Sequence, residues 1–271
     1  MAFTLHKDSR GMEMYGTFSI FPDAVVHAVS TRFGGVSKGP YASMNLALHV
    51  RDDAADVVKN RRRFLDIFGL DFRRLTTPEQ IHGDNIVRVD EAYAGRGRLA
   101  YTDAIPGTDA LMTDVPGVSL MLCFADCTPI LIFDPIHRAA AIAHGGWKGT
   151  ALSVAAKTVR AMGDAFGTCP EDCLAAIGPA IGPCCYEVGE EVEMAFSKAF
   201  PAFAETVVSK DNGKIRLDLW AANRLQLEEA GLLPERIDVA GVCTSCHAKT
   251  FFSYRAEGPV TGRIAAVMAI R

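Results

Sequence analysis

The sequence predicts a layered, mixed α/β fold, and three observations carry that assignment. Three short apolar runs rich in β-formers lie close together, at 118–124, 129–133 and 139–143. Two longer stretches, 54–68 and 150–166, place apolar residues at helical spacing. Strands and helices do not alternate with the regularity of a Rossmann sheet, so helices and strands are expected in mixed layers.

Composition narrows the class. The chain has 271 residues and is 49% hydrophobic, enough for a sizeable core. Its formal net charge is −4 and it has no long basic run, which argues against a nucleic-acid surface and gives no membrane cue. No apolar run reaches the roughly 18 residues a membrane helix needs. The first residues carry no continuous apolar core of a signal peptide, so cytoplasmic residence is the expectation. There are eight Cys. Without an export signal, free thiols or metal ligands are expected rather than disulfides.

Taken in order, 25–31 reads as a strand feeding the Gly34-Gly35 turn, with Arg32 at the turn and Asn45 beyond it. The helix at 54–68 can be capped by Asp52 or Asp53 and ended by Gly69. Its stripe of Ala54, Val57, Val58, Phe64, Leu65 and Phe68 is interrupted at Arg61. Residues 81–89 carry His82 and then Gly83-Asp84-Asn85, a turn signal between two short strands. Residues 91–106 read as an exposed loop. The core stretch, 123–149, reads as strand, turn, strand and helix start, punctuated by Asp134-Pro135 and by Gly145-Gly146. Cys127 and His144 fall at the mouths of neighbouring strands, so a thiol and an imidazole can share a site. The helix at 150–166 buries Leu152, Ala155, Ala156, Val159, Met162 and Phe166, with Gly163 a weak point in its last turn. A short strand at 174–177 runs into a Gly/Pro loop at 178–189, followed by a helix to about Phe200. Asp218 caps a helix at 219–230 stopped by Gly231, and strands follow at 237–242 and 264–270.

His82, Cys127 and His144 are the main candidates for chemistry. Each lies beside a glycine or at a strand end. Two imidazoles and a thiolate suit zinc, and three protein ligands leave a fourth position for water, whose pKa can fall to about 7. The alternative is one buried Cys and two hydrogen-bonded His. Without metal, Cys127 and His144 could instead form the thiolate–imidazolium dyad of a cysteine hydrolase. Asp126 either orients a ligand imidazole or is a turn residue. Cys123 reads as a small buried apolar group. Cys243-Thr-Ser-Cys246-His247 matches a c-type haem attachment pattern, but without the expected export signal. Adjacent Cys184 and Cys185 read as two thiols, since a disulfide between them would be strained. The turn from Gly145 to Thr150 could hold an anion with Lys148 adding charge, or be an ordinary strand-to-helix turn. Arg32, Arg255 and Arg263, in or beside glycine-bearing loops, are candidate phosphate contacts.

Seven motifs occur together and in one order: TRFGGVS (31–37), QIHGDNI (80–86), ADC (125–127), HGGWKG (144–149), IGPAIGPCCYEVG (177–189), LDLWAANRLQL (217–227) and FFSYRAEGPVTGR (251–263). On these the chain resembles the laccase-domain, YfiH-like family, once labelled polyphenol oxidases and now described as purine nucleoside phosphorylases. The resemblance runs from about Val25. It implies an N-terminal extension at 1–24 and a single catalytic domain at 25–271, folded as a layered α-β-β-α sandwich distantly similar to a bacterial toxin cysteine hydrolase. It maps the family's metal ligands onto His82, Cys127 and His144, with zinc as the metal. It implies phosphorolysis of adenosine, inosine and methylthioadenosine, with adenosine deaminase activity, and for some members the editing of peptidoglycan precursors. Purine nucleosides and phosphate are then the partners, with Arg32, Asn45 and Lys148 as substrate-binding candidates and either a monomer or a homodimer as the assembly. The old oxidase label fits poorly. A multicopper cluster needs several His-x-His pairs, and this chain has seven His and no such pair. Copper can still occupy the site in vitro, because it outcompetes zinc on affinity.

Overall fold

Strands buried on both faces read as unbroken apolar runs, and the centre of this chain is built from such strands. The computed structural model describes residues 3–271. In chain order the strands of its first sheet are β1 (Phe3–Lys7), β2 (Glu13–Phe18), β3 (Val25–Ser30), β4 (Leu75–Thr76), β7 (Ser119–Phe124) and β15 (Ile264–Ile270), arranged β1-β2-β3-β15-β7-β4. The second sheet holds β5 (Ile86–Arg88), β6 (Ala110–Thr113), β8 (Thr128–Asp134), β9 (Ala139–Gly145), β10 (Leu174–Ile177) and β14 (Ile237–Val239), arranged β14-β10-β8-β9-β6-β5. Every residue of β7, β8, β9 and β15 is buried.

The two faces of each strand explain the layering. Leu120, Leu122 and Phe124 of β7 join Leu131 and Phe133 of β8, Ile142 of β9 and Met268 of β15 in a core between the sheets. The alternate residues face outward. Met121, Ala265 and Val267 pack under Phe64 and Leu65 of helix α1 (Ala54–Asp66). Ile130, Ile132, Ala141 and Ala143 pack under Val154, Val159 and Met162 of α3 (Val154–Phe166) and Leu227 of α6 (Leu219–Glu229). The result is the α-β-β-α sandwich. Short α2 (Trp147–Ala151), α4 (Glu190–Ala199) and α5 (Ala204–Val207) and a small sheet, β11 (Glu187–Val188), β13 (Lys214–Leu217) and β12 (Val208–Asp211), build a side cluster around Phe196, Phe200 and Leu217. The last helix, α7 (Tyr254–Glu257), precedes β15.

Several elements differ from the sequence reading. The helix expected at 150–166 is two helices, α2 and α3. Ser153 adopts a left-handed conformation (φ 63°), the chain turns there, and Leu152 is 46% exposed rather than buried. Gly163 sits inside α3 without ending it; Gly167, also left-handed, is the cap. Residues 81–82 form no strand, because a side chain holds that backbone in place of a sheet partner. The hairpin β12–β13 turns on Asn212-Gly213, both at positive φ, an Asn-Gly signal the sequence displays plainly. Residues 3–18 pair as β1 and β2, and β2 pairs antiparallel with β3.

Arg61, the apparent break in the stripe of α1, is 3% exposed. Its Nε donates to the Leu46 carbonyl at 2.8 Å, and its Nη1 to the carbonyls of Gly97 and Arg98 at 2.7 and 3.2 Å. The guanidinium therefore ties α1 to two loops that have no sheet partners. Asp53 caps α1, accepting from the amides of Ala55 and Asp56, while Asp52 accepts from Ser37 and Asn45. Replacing Arg61 with Met keeps the volume but strands the three carbonyls. Chemical denaturation should show a loss of about 2–4 kcal/mol.

Candidate functional site

The chain crosses from the first sheet to the second between Phe124 and Thr128, and Cys127 lies on that crossover. Register then sets its neighbour: in the antiparallel pair β8–β9, Pro129 faces His144 and Thr128 faces Gly145. His82 arrives from a separate loop, held at both ends. Gln80 extends the end of β7, its Nε2 donating to the Cys123 carbonyl at 2.9 Å and its Oε1 accepting from the Cys123 amide at 2.8 Å. The amides of Ile81, His82 and Gly83 then donate to the Asp109 carboxylate at 3.1, 2.9 and 2.7 Å. This fixes His82 in the left-handed region (φ 62°), which is uncommon for a side chain larger than glycine.

Asp109 acts a second time. Its Oδ1 lies 2.8 Å from Nδ1 of His144, and the carboxylate is wholly buried. The contact places a proton on Nδ1 and turns Nε2 toward the cleft as the ligating nitrogen. The donor atoms of His82, Cys127 and His144 all lie within 4.8 Å of one another. The imidazole rings stand edge to face, with centroids 4.8 Å apart. Gly146 makes room for the triad: a Cβ there would come within 3.1 Å of both the Cys127 sulfur and the His82 ring. One thiolate and two imidazoles form a donor set that fits a transition-metal ion, with the carboxylate–imidazole pair behind it that such sites commonly use.

The electrostatics agree. Burial opposes ionisation of Cys127, but the His144 charge and hydrogen bonds from both imidazoles outweigh it and pull the thiol down to about 6. Burial also opposes the His144 cation, which the Cys127 thiolate and Asp109 favour, so its pKa rises to about 9. Asp109 stays below the usual carboxylate range: burial works against this, and the His144 and backbone contacts prevail.

These groups sit in a cavity of about 580 Å³. Trp147, Tyr186 and Tyr254 supply aromatic walls, and Arg255 and Arg263 supply cations. Of the three candidate phosphate contacts, these two line the cleft and Arg32 does not. The Arg32 guanidinium is bonded to the carbonyls of Ala42 and Ala248 and to Glu257 at 2.8 Å, and lies over the Phe252 ring. Asn45 is fully buried and braces the loop between β3 and α1, accepting from the Arg263 amide at 2.9 Å. Lys148 is exposed on α2, outside the lining. The side-chain hydrogen bonds of Arg32 and Asn45 run to groups within the protein.

Asp126 does not orient an imidazole. It accepts from Thr244 Oγ1 and from the Arg255 amide, each at 2.6 Å, and so ties the crossover to the loop after β14 and to the first turn of α7. The group that does orient an imidazole, Asp109, was missed. Its signal was thin: a carboxylate in Thr108-Asp109-Ala110, at the entrance to an apolar strand that proves wholly buried.

An α-β-β-α sandwich with a His/Cys/His donor set at the floor of one cleft defines a layered α/β protein with a single-centre metal-type site. The chain belongs to the laccase-domain, YfiH-like family: the family described as multi-copper polyphenol oxidoreductase laccase matches residues 26–271. It is 42% identical over 247 residues to purine nucleoside phosphorylase YlmD of Geobacillus stearothermophilus, covering 91% of this chain and 90% of that one. It is 35% identical over 240 residues to adenosine deaminase RL5 of an unknown prokaryotic organism, covering 88% and 91%. The crystal structure of YlmD from Geobacillus stearothermophilus superposes with a TM-score of 0.93 at 38% identity, covering 98% of each chain.

If Asp109 orients the donor set, Asp109→Asn should weaken metal binding by about 10–100-fold. Competition against a chromophoric chelator measures this directly.

Proposed function

We propose that this protein is a zinc-dependent purine nucleoside phosphorylase that accepts adenosine, inosine and methylthioadenosine, with adenosine deaminase activity, working in the cytoplasm. The observation that carries the reading is the convergence of His82, Cys127 and His144 on the floor of an aromatic, cationic cleft, in a chain whose relatives are named purine nucleoside phosphorylase and adenosine deaminase. No helix among the described residues is long and apolar enough to cross a membrane.

His82, Cys127 and His144 would hold the zinc, which supplies Lewis acidity and lowers the pKa of bound water. The rest falls to the protein's own side chains. Trp147, Tyr186 and Tyr254 offer flat apolar surface to a purine. Arg255, lying over the Tyr186 ring at 5.3 Å, and Arg263 place positive charge in the cleft, where it favours the phosphate anion. Asp109 keeps the Nδ1 proton of His144, so the imidazole presents one fixed face to the cleft.

Replacing His82, Cys127 or His144 singly with Ala should lower release of hypoxanthine from inosine plus phosphate by about 100-fold or more. Unchanged turnover in all three variants would end the proposal.

A second reading has its own support. The Cys127 thiol is driven toward thiolate beside the His144 cation, the pairing a cysteine amidase uses. Such an enzyme would act on peptidoglycan precursors. Chelation separates the two: the phosphorylase should lose activity on metal removal and regain it with zinc, whereas an amidase would survive chelation and fail on thiol alkylation.

A further inference from the structure

Four of the eight cysteines gather outside the cleft. Cys184 and Cys185 come from the Gly/Pro loop before β11, and Cys243 and Cys246 from the turn after β14. Some sixty residues separate the pairs along the chain, yet all four sulfurs lie within 4.8 Å of one another. Cys246 Sγ is 3.6 Å from Cys184 Sγ and 3.3 Å from Cys185 Sγ. Four sulfurs around one ion with bonds of about 2.3 Å would stand about 3.8 Å apart at the edges of a tetrahedron. The four thiols approach that spacing, and none is paired as a disulfide.

The surroundings favour a thiolate cluster. The amides of Gly182 and Cys246 point at the Cys243 sulfur at 3.2 and 3.5 Å, donating to a group that would bear negative charge. Arg216 donates to the carbonyls of Pro183 and Cys184, and Arg255 to those of Cys185 and Glu187. Two guanidinium groups thus border a four-thiolate site that would carry a net charge of about −2 around a divalent ion. A single disulfide is the poorer description. Cys246 lies against both Cys184 and Cys185, so pairing it with either strands the other, whereas one central ion uses all four.

We propose that Cys184, Cys185, Cys243 and Cys246 bind one structural zinc ion, at a site separate from the His82/Cys127/His144 centre. The ion clips together two loops that form one wall of the cleft. One carries Tyr186; the other leads to Tyr254 and Arg255 and is anchored to Asp126 through Thr244. The CxxCH run is then half of a metal site, and His247, whose Nδ1 faces the Cys243 carbonyl at 2.9 Å, takes no part. The inference stands on this cluster alone and does not depend on the reaction proposed above.

Cobalt substitution under reducing conditions tests it. In a Cys127→Ala background the first centre has no thiolate, so any sulfur-to-cobalt charge-transfer band must come from elsewhere. That protein should bind about one equivalent of cobalt with such a band and the strong visible absorption of a tetrahedral site. The same bands should vanish in Cys127→Ala/Cys184→Ser/Cys246→Ser, where both added substitutions fall at exposed positions and leave the packed core alone. Zinc loading should also shield the four thiols from alkylation, read by mass spectrometry. Absence of the bands in Cys127→Ala, their persistence after the two serine substitutions, or alkylation at full rate in zinc-loaded protein would each overturn the proposal.

Discussion

The site depends on one buried carboxylate. Asp109 accepts three consecutive backbone amides from one loop and an imidazole N–H from β9. A buried charge is costly unless hydrogen bonds compensate it. Here the compensation comes from the parts that must be positioned. The same bonds that make the charge tolerable fix the left-handed turn at His82 and the tautomer of His144. Neither imidazole could be relaxed independently without exposing an unsatisfied anion.

The sandwich supplies the second constraint. Because β7 and β8 belong to different sheets, the chain must hop between layers at 125–127, and the hop leaves Cys127 at the sandwich rim. The β8–β9 register then places His144 beside it. Gly146 contributes an absence of bulk, since any Cβ there would press on both Cys127 and His82. Layer geometry and carboxylate chemistry together bring three residues from distant segments to one point.

Much of this could be read from residues alone. The apolar runs of β7, β8, β9 and β15 read as strands, and the motifs around His82, Cys127 and His144 led to the donor set. What escaped depended on long-range partners. Arg61 looked like a gap in a stripe because its three acceptor carbonyls lie in loops that only the fold brings near. Asp109 looked ordinary because its partners sit elsewhere in the chain. The internal hydrogen bonds of Arg32 and Asn45 were not legible, because a polar loop residue does not reveal in sequence which way its bonds point. Asp126 left two roles open by its adjacency to Cys127; it sits in a turn (φ 85°), and its oxygens serve Thr244 and the Arg255 amide.

The position of Cys127 on the hop between layers has one more implication. Its flanking strands anchor in opposite halves of the molecule; His144 belongs to the second sheet, and the His82 loop is tied to both, through Gln80 to β7 and through its amides to Asp109. Slippage of one layer over the other would disturb the spacing of the three ligating atoms. Tight capture of an ion would therefore act as a rivet across the seam, coupling occupancy of the centre to the mutual alignment of the two halves.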